Sequence, residues 1–236
     1  MQRAAARGER YEGTLTIRNS SDAPQPARVV QTDYAFTADG RTTFGAAGTS
    51  PRSNARWIRF DPAELVVPPR ATASVRYTVT VPDGADLSGT YWSLLIVEQT
   101  SAAPPAAGGR AGGDVGLTVA TRHATQIATH VGTRGAARVE VDSVQATSLV
   151  GGRRALRFDF FNVGDRSAAV TLKADVYDGA GTLVSRQTKV RGVLYPGSSG
   201  RQTFDVGPIT PGSYRVIITA DAGGDELFGG TFRVRF

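Results

Sequence analysis

The sequence predicts an all-β protein built as two tandem immunoglobulin-like β-sandwich domains. Three observations predict it. A strand signature occurs twice, as Gly89-Thr-Tyr-Trp-Ser-Leu-Leu-Ile-Val-Glu98 and as Gly212-Ser-Tyr-Arg-Val-Ile-Ile-Thr219. Each copy follows a Pro-containing turn, sets a Tyr two residues after a Gly, and runs into aliphatic residues, as does a central strand of such a sandwich with a Tyr at its corner. Several other stretches alternate apolar and polar residues with a period of two, which marks half-buried strands. Finally, 28 Gly and 12 Pro punctuate the chain at turns, and no helical pattern of useful length intervenes.

In chain order, residues 1–10 are polar and rich in Ala and Arg, which suits a frayed start or a short edge strand. Leu15 and Ile17 alternate with Thr14, Thr16 and Arg18, and a turn through Asn19, Asp22, Pro24 and Pro26 leads to a strand over Ala27–Phe36. Small polar residues over 40–56 read as a long loop, with room for a short edge strand near Thr43 and Phe44. Trp57–Phe60 is a short strand, and Leu65–Val67 stops at Pro68-Pro69. Ala73, Val75, Tyr77, Val79 and Val81 form the cleanest alternating strand. The run Leu94–Val97 is apolar throughout, as expected where both faces are covered.

Residues 100–113, rich in Ala, Gly and Pro, predict a mobile loop inside the first domain, since one more strand is needed to complete that sandwich. Val115, Leu117 and Val119 supply its alternating row, and Ile127 and Val131 extend it. The domains therefore divide as 1–132 and 133–236. In the second, strands over 137–144, 156–160, 170–177, 183–193, 202–206, 212–219 and 227–236 alternate with turns at Asn162–Asp165, Asp178–Gly181, Pro196-Gly197 and Ala222–Asp225. The halves correspond as an internal repeat. Asn19, Asp22 and Tyr34 match Asn162, Asp165 and Tyr177, and with loops of different length Tyr77, Val79 and Tyr91 match Phe204, Val206 and Tyr214.

Composition excludes several function classes. Cysteine is absent, so there is neither disulfide nor thiol chemistry. No stretch reaches the ~20 apolar residues of a membrane-spanning helix. The formal net charge is +6 over 27 basic residues. All but Lys173 and Lys189 are Arg, but they are scattered, without the basic stripe and interleaved aromatics of a nucleic-acid interface. His123 and His130 are the two histidines, and odd spacing puts them on opposite sides of a strand, with no Cys or carboxylate cluster to complete a metal site. The carboxylates between Asp221 and Glu226 lack calcium-loop spacing, Gly-rich 107–113 is not a phosphate loop, and no nucleophile elbow occurs. The chain reads as a non-enzyme without metal or cofactor.

Gly13-Thr-Leu-Thr-Ile-Arg-Asn19, Phe60-Asp-Pro-Ala-Glu-Leu-Val-Val-Pro-Pro69, Tyr91-Trp-Ser-Leu-Leu-Ile-Val97 and Val115-Gly-Leu-Thr-Val119, in that order, resemble the PapD-like superfamily of periplasmic pilus chaperones. The chain also looks like the two-domain surface proteins that accompany WxL proteins in Gram-positive cell walls. The chaperone resemblance implies an exported, periplasmic protein that lends a strand to an incomplete pilus subunit, with Val115, Leu117 and Val119 filling the subunit's groove. It also implies two cations for the subunit's terminal carboxylate, one from the first strand (Arg7 or Arg10) and one from the edge strand. No Lys lies between 110 and 135, which leaves Arg122 for the second role. The expected function is partner-protein binding by β-strand addition. The alternative is a cell-surface adhesion or scaffolding module that binds wall glycan or another surface protein.

Overall fold

The computed structural model describes residues 1–83, 86–99 and 122–236. In the first half run β1 (Gln2–Ala5), β2 (Arg10–Arg18), β3 (Gln25–Phe36), β4 (Thr42–Ala46), β5 (Ile58–Asp61), β6 (Glu64–Val67), β7 (Thr72–Thr80), β8 (Gly89–Gln99) and β9 (Arg122–Val131). The second half holds β10 (Val139–Ser148), β11 (Arg154–Asn162), β12 (Ala168–Tyr177), β13 (Leu183–Leu194), β14 (Ser199–Gly207), β15 (Ser213–Asp221) and β16 (Leu227–Arg235). Short 3-10 turns at Ala55–Trp57 and Val150–Gly152 supply the helical residues. The expected mobile loop at 100–113 and the row Val115, Leu117 and Val119 lie outside the described residues.

Two compact units result, one of Met1–Tyr34, Phe44–Leu87 and Tyr91–Gly132, the other of Ala35–Thr43, Ser88–Thr90 and Thr133–Phe236. The hairpin segment Ala35–Thr43 groups with the second unit because Phe36 packs on that unit's core and Ala38 N–H donates to Ser199 Oγ at 2.9 Å.

The first unit is a sandwich of the sheets β1-β9-β8-β3-β4, with β6 also on β3, and β2-β7-β5. Period-two alternation places Leu15 of β2, Val75 and Val79 of β7, Leu95 of β8, and Ile127 and Val131 of β9 in one core. Gly13 lies opposite Tyr77, whose ring covers the glycine so closely that a Cβ there would sit 2.2 Å from it. The second unit repeats the device, with Gly200 opposite Phe160 and a Cβ at 2.5 Å from that ring. Its sheets are β10-β11-β14 and β13-β12-β15-β16, around Leu156, Phe158, Leu172, Val176 and Ile218.

The internal repeat is visible at the level of single hydrogen bonds. Asn19 Nδ2 donates to the carbonyls of Ala23, Val67 and Pro68, and its Oδ1 accepts from Ser21 N–H and Oγ. Asn162 Nδ2 donates to the carbonyls of Arg166 and Leu194, while its Oδ1 accepts from Gly164 N–H and Arg138 N–H. Both side chains are buried. The proline turns that follow correspond as well: Arg70 after Pro68-Pro69 has φ 55°, and Gly197 after Pro196 has φ 74°. Arg70 holds that left-handed conformation with its guanidinium bidentate on Asp22, at 2.7 and 2.9 Å. That contact lowers the Asp22 carboxyl below its ordinary range.

Two expectations gain detail. The short edge strand at the start is β1, and it runs parallel to β9 over Gln2↔Ala128 to Ala5↔Val131. The paired Tyr corners diverge. Tyr214 O–H donates to the Thr210 carbonyl at 2.7 Å, closing the corner of the second unit. Tyr91 turns its ring to Trp57, with centroids 4.7 Å apart, and to the Arg52 guanidinium at 5.5 Å.

Removing either buried amide strands several carbonyls and amides from water. Asn19→Ala and Asn162→Ala should each cost about 3 kcal/mol by urea unfolding, from lost bonds of ~1 kcal/mol and orphaned groups at ~1–3 kcal/mol. A cost in only one of the two would show that the brackets are not equivalent.

Candidate functional site

The candidate site is the outer edge of β9. Its inner neighbour is β8, and its outer side meets β1. Met1 places its α-amino group on the Gln126 carbonyl at 2.5 Å and its own carbonyl on Ala128 N–H at 2.9 Å, and Gly132 N–H reaches Ala5 O at 3.3 Å. The main-chain groups of β9 that point outward are thus those of even-numbered residues. By the period of the strand, Ala124 and Arg122 turn their N–H and C=O to the same side. Among the described residues no strand lies on that side of 122–125. Arg122, His123 and Ala124 are exposed. Arg122 Nε forms an ion pair with Glu98 Oε1 of β8 at 2.9 Å. Such an exposed pair contributes roughly 0–1 kcal/mol, so it steadies the strand end without committing the cation.

From Ile127 onward the strand is clamped. Thr129 is wholly buried and its Oγ1 shares a hydrogen bond with Tyr11 O–H at 2.7 Å. Asn54, also wholly buried, donates from Nδ2 to Thr129 Oγ1 and to the Ile127 carbonyl, both at 3.1 Å. Ser93 Oγ of β8 donates to Asn54 Oδ1 at 2.7 Å. A polar chain therefore crosses the sandwich from β2 through β9 and the 54–57 turn to β8. Slipping β9 by one residue would turn Thr129 out of this chain and the apolar row out of the core, so the register is strongly specified. Burial pushes the Tyr11 phenol above its ordinary value, against the opposing pull of the Thr129 hydrogen bond.

The candidate residues divide by place. Arg122 stands at the start of β9, whereas Ala5 pairs with Val131 at its far end, and Arg7 and Arg10 follow from there. Nine residues of strand separate the two ends, roughly 30 Å. Arg122 is therefore not brought to Arg7 or Arg10, and one carboxylate cannot span them. Arg7 meets Asp86 at 3.8 Å and Arg10 meets Glu12 at 3.3 Å. His123 lines an open depression of about 250 Å³ with Pro26, Val67, Val97 and Gln99. His130 lies on the opposite face of β9. Among the described residues no group of three or more His, Cys, Asp or Glu could hold a metal ion, and no helix is long and apolar enough to cross a membrane. Asn54 and Thr129 carried no signal in the sequence, where Asn54 is one polar residue among many in a loop.

This geometry defines a class: two immunoglobulin-like β-sandwiches in tandem. Among solved structures, a chain of the chaperone–tip adhesin complex of CFA/I fimbriae biogenesis shares the fold with a TM-score of 0.50 at 12% identity, covering 99% of this chain and 95% of that one. The class 5 fimbrial chaperone CfaA matches at a TM-score of 0.47 and 14% identity over 99% and 95% of the two chains. The E. coli chaperone DraB matches at 0.42 and 14% over 96% and 93%. No protein-family profile matches the sequence, and no curated protein matches it either. The chain has the fold of the PapD-like fimbrial chaperones.

Replacing Asn54 by Leu should cost about 2–4 kcal/mol, since Thr129 Oγ1 and the Ile127 carbonyl each lose a donor and the Ser93 O–H loses its acceptor together. Hydrogen exchange at 127–131 reads the local loss. The pH dependence follows from the raised Tyr11 phenol. Its contribution is complete below the ordinary tyrosine pKa near 10 and is lost as pH rises through the higher folded value. Tyr11→Phe should lack that alkaline loss, and a pH–stability curve for the two proteins checks it.

Proposed function

We propose that this chain is an exported, non-enzymatic, chaperone-like protein of the periplasm or cell surface that binds a partner protein by β-strand addition at the outer edge of β9. The observation that carries the proposal is that among the described residues no strand covers the edge at 122–125, next to an edge covered by β1 from Gln126 onward. An edge of this kind offers an incoming strand a ladder of main-chain bonds, while alternate side chains select the partner. In this proposal Val115, Leu117 and Val119 continue the strand toward the partner and supply the apolar row, with Arg122 beside them. The fold shared with a chain of a chaperone–tip adhesin complex supports a partner of the fimbrial-subunit kind. The Asn54–Thr129 clamp supports the proposal from the other end, because a strand that selects by alternate side chains must keep its register.

Co-expression with the proteins encoded beside it, followed by hydrogen exchange, tests the proposal. Amides over 114–121 and the outward amides of Arg122, Ala124 and Gln126 should exchange fast in the free chain and slow in the complex. Ala124→Pro should remove one outward donor at an edge position, where proline is tolerated. The variant should fold normally and bind the partner at least tenfold more weakly, the loss of about 1.4 kcal/mol. Protection of 114–121 and of the outward amides of Arg122, Ala124 and Gln126 already in the free chain, or a partner that ignores Ala124→Pro, would favour a surface module that uses another face.

A further inference from the structure

On the solvent side of the second unit, the sheet β13-β12-β15-β16 carries arginines on adjacent strands. Arg215 of β15 lies directly opposite Arg233 of β16, and Arg235 lies opposite Ser213, one step further along the same face. Their neighbours in sequence, Tyr214, Val216, Val234 and Phe236, point into the core, so the three arginines point out, and all are exposed. Like charges directly opposite one another in a sheet are unfavourable.

Two other arginines of this unit sit opposite a carboxylate instead. Asp175 sits opposite Arg186 and binds it through two hydrogen bonds of 2.7 and 3.1 Å. Asp159 sits opposite Arg201 and does the same at 2.7 and 2.8 Å. Among the described residues no carboxylate pairs with Arg215, Arg233 or Arg235. Asp178 at the rim accepts the Ala180 and Thr182 amides of its own turn through Oδ1. Arg215 instead lays its guanidinium over the Tyr177 ring, 5.0 Å from the centroid. Stacking of this kind orients the guanidinium plane and leaves its N–H edges free for planar acceptors. Between the Asp178–Gly181 turn and Arg215 and Arg233 lies an open depression of about 480 Å³.

We propose that Arg215, Arg233 and Arg235, backed by Tyr177, form a docking surface for an acidic segment of a protein partner, one that presents two or more carboxylates close together. The surface is separate from the β9 edge and does not depend on it. Charge complementarity selects the occupant: uncompensated guanidiniums are completed by carboxylates that bind each fork through two oxygens. Size narrows it. Adjacent strands lie ~4.8 Å apart and alternate residues ~6.8 Å apart, so the cluster matches neighbouring acidic side chains on one short segment. It is too compact to track a nucleic-acid backbone.

The test uses the full chain and a capped peptide, Gly-Ser-Glu-Asp-Glu-Ser-Gly, with its Gln-Asn-Gln counterpart as control. Titration followed by arginine Nε–H NMR should move the Arg215 and Arg233 signals with the acidic peptide alone. Arg233→Gln should weaken binding about tenfold, the loss of one charge-assisted contact, while Arg59→Gln on the first unit should leave it unchanged. Arg233→Glu, which places opposite charges face to face, should melt no lower than the parent and lose the peptide. Equal weakening by Arg59→Gln, or peptide binding retained in the Arg215→Gln, Arg233→Gln, Arg235→Gln triple variant, would overturn the proposal. So would tighter binding of inorganic phosphate or of phosphatidylglycerol vesicles than of the acidic peptide.

Discussion

A buried asparagine side chain holds each sandwich together at the point where its sheets must be joined by turns. Asn19 and Asn162 each use both polar ends of a short amide to tie a strand end to a turn four residues on and to the carbonyl before a proline turn. Apolar packing alone would leave those carbonyls buried and unpaired, at a cost comparable with a lost core side chain. With the amides in place, the turns can close over the core, and the strands that follow start in register. Proline at the next turn reinforces the bracket because it ends the preceding strand without needing a donor.

Order in the first unit builds from that bracket toward β9. Tyr11, Thr129, Asn54 and Ser93 form a polar chain inside an apolar sandwich, and each hydroxyl or amide in it has a partner. Fully satisfied, such a chain specifies one arrangement of strands where an all-apolar core would tolerate several. The clamp acts on the half of β9 that β1 covers, while among the described residues no strand lies on the outer side of 122–125. In the proposed strand addition, anchorage of the covered half would keep the other half in register for the incoming strand. In the second unit Asp175 and Asp159 hold Arg186 and Arg201, while among the described residues no carboxylate pairs with Arg215, Arg233 or Arg235.

Much of the architecture was legible in the chain before any coordinates. Alternation placed the strands, because a half-buried strand must repeat every second residue. The repeat of Asn19 in Asn162 was visible as a pattern, and its hydrogen bonds gave the pattern its cause. The recurring Gly–X–Tyr signature marked β8 and β15 correctly, yet it did not show that Tyr214 would close a corner and Tyr91 would stack on Trp57. That choice depends on what lies beside each ring. Asn54 was illegible for the same reason: a polar residue in a polar loop carries no local mark of being buried against a strand far along the chain.

Residue order by itself determined the fold class, the approximate strands and the internal repeat, since these follow from local periodicity and turn chemistry. It also determined the charge and the lack of cysteine. Tertiary structure alone decided that β1 covers β9 only from Gln126 onward, that Arg122 stands far from Arg7 and Arg10, and that Arg215 faces Arg233 without a carboxylate between them. These are matters of register and of pairing between distant segments. They arise from packing and from hydrogen bonds across the sheets, which periodicity along a single strand cannot encode.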